Sequence, residues 1–306
     1  MAAGVVAALA GALLWGFSGA CAQVVLSDHG LSPLFITFVR SSLAAAILLA
    51  LSSLRYRQQL GQIISCKPLR LRLLLFGVGL FLSQATFAAS VASSNAGTAT
   101  VLQSLATVFV MGVTCAARRR PPQAFEALGL VFALASTWLI ATQGDPGALA
   151  IAPSGLFWGI ANALSVALYI MIPRPLYARW SSIPVISVGL GIAAFAAAVS
   201  FGCEAALLGA PVFPSVDAHG ILVLVMGIGV LGTACAFGLY LYGVAIVGSV
   251  RGSLLGTAEP ASAMVLTVLW LGMTVTIADW AGLVLMIAMV FLVTRAPERS
   301  RRDGGV

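Results

Sequence analysis

Apolar stretches fill this 306-residue chain almost from end to end. They fall at about 4–26, 34–54, 71–91, 96–116, 125–142, 154–173, 183–203, 219–243, 250–272 and 280–294. A hydrocarbon core ~30 Å thick needs about 20 apolar residues per helix, so each stretch reads as one crossing. The runs are continuous rather than alternating, which selects helices over barrel strands. Only 8% of the residues are charged, against about a quarter in a soluble domain. A water-soluble globule, a coiled coil, a disordered chain and a secreted disulfide scaffold are all excluded. The expected fold class is an all-α membrane protein of ten transmembrane helices.

The basic residues set its orientation. Arg55, Arg57, Lys67, Arg70 and Arg72 lie between spans two and three, and Arg118, Arg119 and Arg120 between four and five. Arg174 and Arg179 separate spans six and seven, Arg251 opens span nine, and Arg295, Arg299, Arg301 and Arg302 follow span ten. All of these fall on alternate loops. The other loops carry Asp28, Asp145, Glu204, Asp217 and Asp279 and no Lys or Arg. The positive-inside rule therefore predicts cytoplasmic N- and C-termini in a plasma (inner) membrane protein. A basic face at lipid headgroups accounts for the net charge of +7, and no nucleic-acid partner is expected. The first apolar run has no Lys or Arg before it, and equally apolar runs follow, so it reads as a retained span. Five scattered cysteines show no CxxC or Cys/His spacing, and His29 and His219 complete no metal set with them. They read as small buried hydrophobes. No metal site and no cofactor are expected.

The chain also repeats itself. Leu13-Leu14-Trp15-Gly16-Phe17 recurs as Leu156-Phe157-Trp158-Gly159-Ile160, and Pro33 before span two matches Pro184 before span seven. Leu128-Gly129-Leu130-Val131 matches Ala281-Gly282-Leu283-Val284. Residues 1–142 then form a first repeat, 143–153 a polar linker, 154–295 a second repeat and 296–306 a cytoplasmic tail. Five spans per repeat is odd, so the second copy is expected to be inverted in the membrane, as in secondary transporters with a site between the halves.

The residues that carry this pattern resemble the EamA branch of the drug/metabolite transporter superfamily. The likeness rests on LLWGFSGACAQ in span one, Arg40 in TFVRSSLAA, and SNAGTATVLQSL at Ser94–Leu105. GTACAFGLYLYG at Gly232–Gly243 and SLLGTAEPASAMVL at Ser253–Leu266 complete it. The resemblance covers nearly the whole chain. It implies ten helices around a central cavity and transport of small metabolites, commonly amino acids or related amines, often outward. Where the family often has a proline in span four, this chain reads Leu105-Ala106-Thr107-Val108. That departure argues against a kink there.

Two charges remain inside the spans. Glu259 in span nine is costly if ionised, by ~2.5–3.5 kcal/mol on insertion scales, and reads either as a proton-coupling acid or as a neutral hydrogen-bonding group. Pro260 frees the Gly256 carbonyl beside it. Arg40 in span two reads as a fork for a substrate carboxylate, as a counter-ion for Glu259, or as a residue snorkelling to headgroups. Trp15 and Trp158 occupy matching positions of the repeats, with Ser18 and Asn162 one helical turn on, so an aromatic-lined site competes with plain packing. Gln84, Gln103, Tyr240 and Tyr242 are further polar handles, which in membranes also serve simply to join helices. Gly252 and Gly256 form a GxxxG spacing that allows close helix approach. Gly227-Ile228-Gly229-Val230-Leu231-Gly232 fits a dinucleotide fingerprint but follows no strand.

Four function classes compete. No GxxxxGK[ST] is present, which excludes ATP drive by this chain. A membrane-embedded enzyme needs a second acid or a nucleophile pair in the spans, so catalysis is not expected. A channel favours rings of like charge. A receptor or scaffold leaves Arg40 and Glu259 unexplained. The reading is a secondary active transporter of small molecules, monomeric or homodimeric, proton-coupled and exporting. An uptake carrier or exchanger for a cationic or zwitterionic metabolite is the alternative.

Overall fold

The computed structural model describes residues 2–117, 119, 121, 124–145, 150–208, 216–247, 255–256 and 258–295. Among them the chain is helical throughout and contains no strand. The first half comprises α1 (Ala2–Ser27), α2 (Pro33–Arg55), a short α3 (Arg57–Ser65), α4 (Arg70–Ser93), α5 (Ala96–Gln103), α6 (Ala106–Ala117) and α7 (Ala124–Thr142). The second comprises α8 (Pro153–Met171), α9 (Arg174–Tyr177), α10 (Ser182–Leu208), α11 (Ala218–Leu222), a π-helical stretch Val223–Cys235, α12 (Ala236–Val247), α13 (Ala258–Leu269) and α14 (Ile277–Arg295). Seven helical stretches are long and apolar enough to cross a bilayer, and Ala127–Thr142, Ala258–Leu269 and Ile277–Leu292 are shorter apolar helices. The chain is thus a multi-pass helical membrane protein.

Local chemistry fixes the ends. Ser32 caps α2 by accepting from Phe35 N at 3.0 Å, with Pro33 at the first helical position where its missing N–H costs nothing. Asn95 caps α5 in the same way through Thr98 N at 2.8 Å. The basic segment between spans two and three, where no helix was expected, holds α3, whose one buried residue is Ile63. Gln62 accepts from Trp180 Nε1 at 3.1 Å and Gln59 from Ser181 N at 2.8 Å, docking α3 on the second half.

The packing has a two-fold pattern. Exchange α1 with α8, α2 with α10, α4 with the π stretch and α12, α5–α6 with α13, and α7 with α14. The α4–α8 packing then becomes α12–α1, α4–α10 becomes the π stretch on α2, and α1–α13 becomes α8 on α5–α6. The α2–α10, α7–α14 and α5–α13 pairs map onto themselves. Small residues make the close approaches, as expected where no hydrophobic effect drives helices together. A Cβ on Gly11 would lie 2.7 Å from Tyr240 N, and one on Gly282 2.5 Å from Ile140. Across α7–α14, buried Ser136 Oγ donates to Gly282 O at 2.7 Å. Of the cysteines, Cys21 and Cys115 are buried, whereas Cys203 is exposed on α10.

Two backbone features depart from the sequence reading. Span four breaks at Ser104–Leu105 without any proline. There Ser104 N and Leu105 N bond to carbonyls only three residues back, at 3.1 Å each, tightening the end of α5. In the second half, Val223–Cys235 is π-helical for 13 residues, with Thr233 Oγ1 donating to the Ile228 carbonyl five back at 2.8 Å. Gly227, Gly229 and Gly232, the glycines of the dinucleotide look-alike, lie inside this stretch and seat Cys21, Leu43 and Ser18 respectively.

Candidate functional site

The break in span four and the start of α13 come together. Gln103, the last residue of α5, donates from Nε2 to Glu259 Oε1 at 3.0 Å. Glu259 stands in the first turn of α13, where the helix dipole favours an acid. Ser262 Oγ donates to the Glu259 carbonyl at 2.9 Å, supplying a side-chain donor to a backbone group next to Pro260. Gly16 of α1 lies flat on this turn: a Cβ there would lie 2.6 Å from the Glu259 carbonyl and 2.8 Å from Ala263 N. Interrupted helices whose ends meet at polar side chains are the means by which membrane proteins expose backbone and charge to a cavity.

A cavity opens beside this junction. Its smaller lobe, about 70 Å³, is walled by Ser18, Arg40, Ser83, Gln84 and Phe87 together with Trp15, Gln103, Tyr169 and Glu259. The larger lobe, about 440 Å³, shares Trp15, Gln103, Tyr169, Phe237 and Glu259 and adds Tyr240, Gly256 and Pro260. It runs past Phe76, Tyr177, Val244 and Val290, toward the end of the bundle that carries the basic loops. Trp15 packs against Phe237 edge-on at 5.1 Å and against Tyr240 at 4.8 Å, so the wall beside Glu259 is aromatic. Arg40 is 7% exposed and its Nε has no hydrogen-bond partner. Among the described residues no direct ion pair joins it to Glu259. A buried donor without a partner is costly, by about 1–3 kcal/mol and more for a charged group, unless a ligand or water satisfies it.

The sequence model of the EamA-like transporter family matches the chain twice, over residues 2–142 and 153–295. The chain belongs to this family. The uncharacterized inner membrane transporter YicL of Salmonella typhimurium is 33% identical over 305 residues, which cover 98% of this chain and 97% of that protein. A solved crystal structure, 18% identical, superposes with a TM-score of 0.61 over 98% of this chain and 99% of its own, and so shares the fold.

In this EamA-family chain the residues singled out from sequence fall into two groups. Glu259, Arg40, Trp15, Ser18, Gln84, Gln103, Tyr240, Gly256 and Pro260 line the cavity. Gln84 accepts from Ser41 Oγ at 3.3 Å and is otherwise tied to its own helix at Leu80 O. Asn162 and Trp158 do not line it. Asn162 is fully buried between α8 and α4, donating to Ser83 O at 2.6 Å, and joins helices. Trp158 is 36% exposed and packs edge-on against Phe157, while the next residue, Gly159, is buried against Leu102. Tyr242 is exposed on α12. Gly252 lies outside the described residues. The sequence reading missed Tyr169 and Phe237, which line both lobes. An aromatic in an apolar run carries no mark of which way it faces, although Phe237 does sit three residues before Tyr240, on the same helix face.

Proposed function

We propose that this protein is a secondary active transporter that moves small metabolites, amino acids or amines, outward by alternating access coupled to protons. The observation that carries this is one cavity walled by a buried acid, a buried arginine with an unpartnered Nε, and an aromatic face. An ammonium group suits Glu259 beside Trp15 and Tyr240. A carboxylate suits the planar fork of Arg40. The larger lobe falls within the roughly 300–1,000 Å³ range usual for small-molecule sites. Ten crossings in two inverted halves, with both termini cytoplasmic in the inner membrane, complete the proposal. The matched ranges, the basic loops and the inner membrane relative support it. In that orientation the larger lobe faces the cytoplasm. The test is flux of a panel of amino acids and amines in proteoliposomes under an imposed pH gradient. A gradient that drives none of them overturns proton coupling.

Topology is checked separately. Reporter fusions at Arg119 and at the C-terminus are expected to report cytoplasm, and a fusion at Asp145 the opposite side. A cytoplasmic Asp145 defeats the inverted arrangement.

Arg40→Lys keeps the charge and loses the fork. With a carboxylate substrate, apparent affinity is expected to fall about 10- to 100-fold, the worth of a charge-assisted hydrogen bond of ~1.5–3 kcal/mol. The decarboxylated amine of the same substrate should bind the variant and the parent alike. Equal losses for both compounds would remove the carboxylate role.

A further inference from the structure

Away from the cavity, at the acidic end of the bundle, the fold gathers three side chains that sequence spacing keeps far apart. His29 sits in the loop after α1, and Asp217 and His219 open α11 in the other half. Their ligand atoms all lie within 4.8 Å of one another. His29 Nδ1 stands 3.6 Å from Asp217 Oδ1, and the two imidazoles pack with centroids 6.1 Å apart. Gly220 makes the approach: a Cβ there would lie 2.9 Å from His29 Nε2. Asp217 is held by its cap on Gly220 N, accepted by Oδ1 at 2.7 Å, which leaves Oδ2 unused among the described residues. Neighbouring Asp28 is instead engaged by Ser27 Oγ at 2.8 Å.

We propose that His29, Asp217 and His219 form a binding site for a divalent transition-metal ion, zinc in the first instance, that bridges the two halves of the protein. Two imidazoles and one carboxylate are a ligand set for zinc and its neighbours rather than for magnesium or calcium, which take oxygen donors. With metal–ligand bonds of ~2.0–2.1 Å, tetrahedral ligand atoms stand about 3.4 Å apart, so small side-chain rotations close the cluster. Asp217 and His219 are exposed and His29 is partly so, which gives the ion a path in and leaves a fourth position for water. The sequence looked empty of metal sites because 190 residues separate the two histidines. The bridge ties the α1–α2 loop to α11, so an ion there holds the halves together at this end.

The test reads binding and does not depend on transport. Zn2+ is titrated calorimetrically into the purified full-length protein, carrying an affinity tag without histidine. One site is expected. Each of His29→Gln and His219→Gln should weaken it by more than roughly 100-fold, beyond the ~10–100-fold that losing a mere supporting residue costs. Asp217→Asn keeps the helix cap and is expected to weaken it as well. Absence of binding, or unchanged affinity in the double variant His29→Gln/His219→Gln, overturns the site. Hydrogen exchange on the unmodified protein is the second reading. Zn2+ should protect residues 28–31 and 217–222 together, and protection of only one segment overturns the bridge.

Discussion

In the Glu259→Gln protein a pH gradient is expected to drive no transport, although the protein inserts and folds. The substitution is nearly isosteric and keeps a carbonyl oxygen where Oε1 accepts from Gln103, so the contact between α5 and α13 survives. What disappears is the exchangeable proton. In the proposed mechanism a proton and a cationic substrate compete for this carboxyl, which shares its cavity with Trp15, Phe237 and Tyr240. Proton and substrate then exclude one another at a single group, which suffices for antiport. Flux measured with and without the gradient, at matched protein content, decides it. Wild-type pH dependence in the variant would reduce Glu259 to a helix-joining hydrogen-bond acceptor.

Gly16→Ala is expected to be strongly destabilising for a single-methyl change. The added Cβ meets Ser262 Oγ and the backbone of Glu259 and Ala263, and backbone atoms cannot swing away. α1 must therefore lift off the start of α13. Overpacking of this kind costs about 1–3 kcal/mol. Thermal unfolding in detergent should fall by several degrees for Gly16→Ala and not for Gly112→Ala, where a Cβ meets nothing within 4 Å. Equal midpoints for the two variants would mean that α1 and α13 are not in rigid contact.

What could be read in advance followed from how strongly each signal contrasts with its surroundings. A charge in an apolar run is conspicuous, so Arg40 and Glu259 stood out, and both line the cavity. Aromatic residues do not contrast with lipid-facing neighbours, which hid Tyr169 and Phe237 and made Trp158 look equivalent to Trp15. The repeat carried sequence over from α1 to α8, but not the environment. α1 turns Trp15 toward α12, whereas Trp158 at the same position on α8 is exposed and packs on its neighbour Phe157. The break at Ser104–Leu105 was argued away for want of a proline. Bonds three residues back at 3.1 Å end the helix there without one. The π-helical backbone left no compositional trace except clustered glycines, which close packing explains equally well.

The exchange pattern of the packing has a consequence for biosynthesis. α1 finds its main partners in the π stretch, α12 and α13, all in the other half of the chain. Gly11 waits for Tyr240, 229 residues further on. At the ~5–20 residues per second of ribosomal elongation, that is a delay of roughly 11–46 s. During it α1 has only lipid, or the insertion machinery, along the face it will later bury against the second half. α1 carries no charged side chain, so the wait leaves no ion stranded in hydrocarbon. Arg40 belongs to the next helix and comes to share a cavity with Glu259 only after α13 is made. The two charged residues of the cavity are thus brought together late in synthesis.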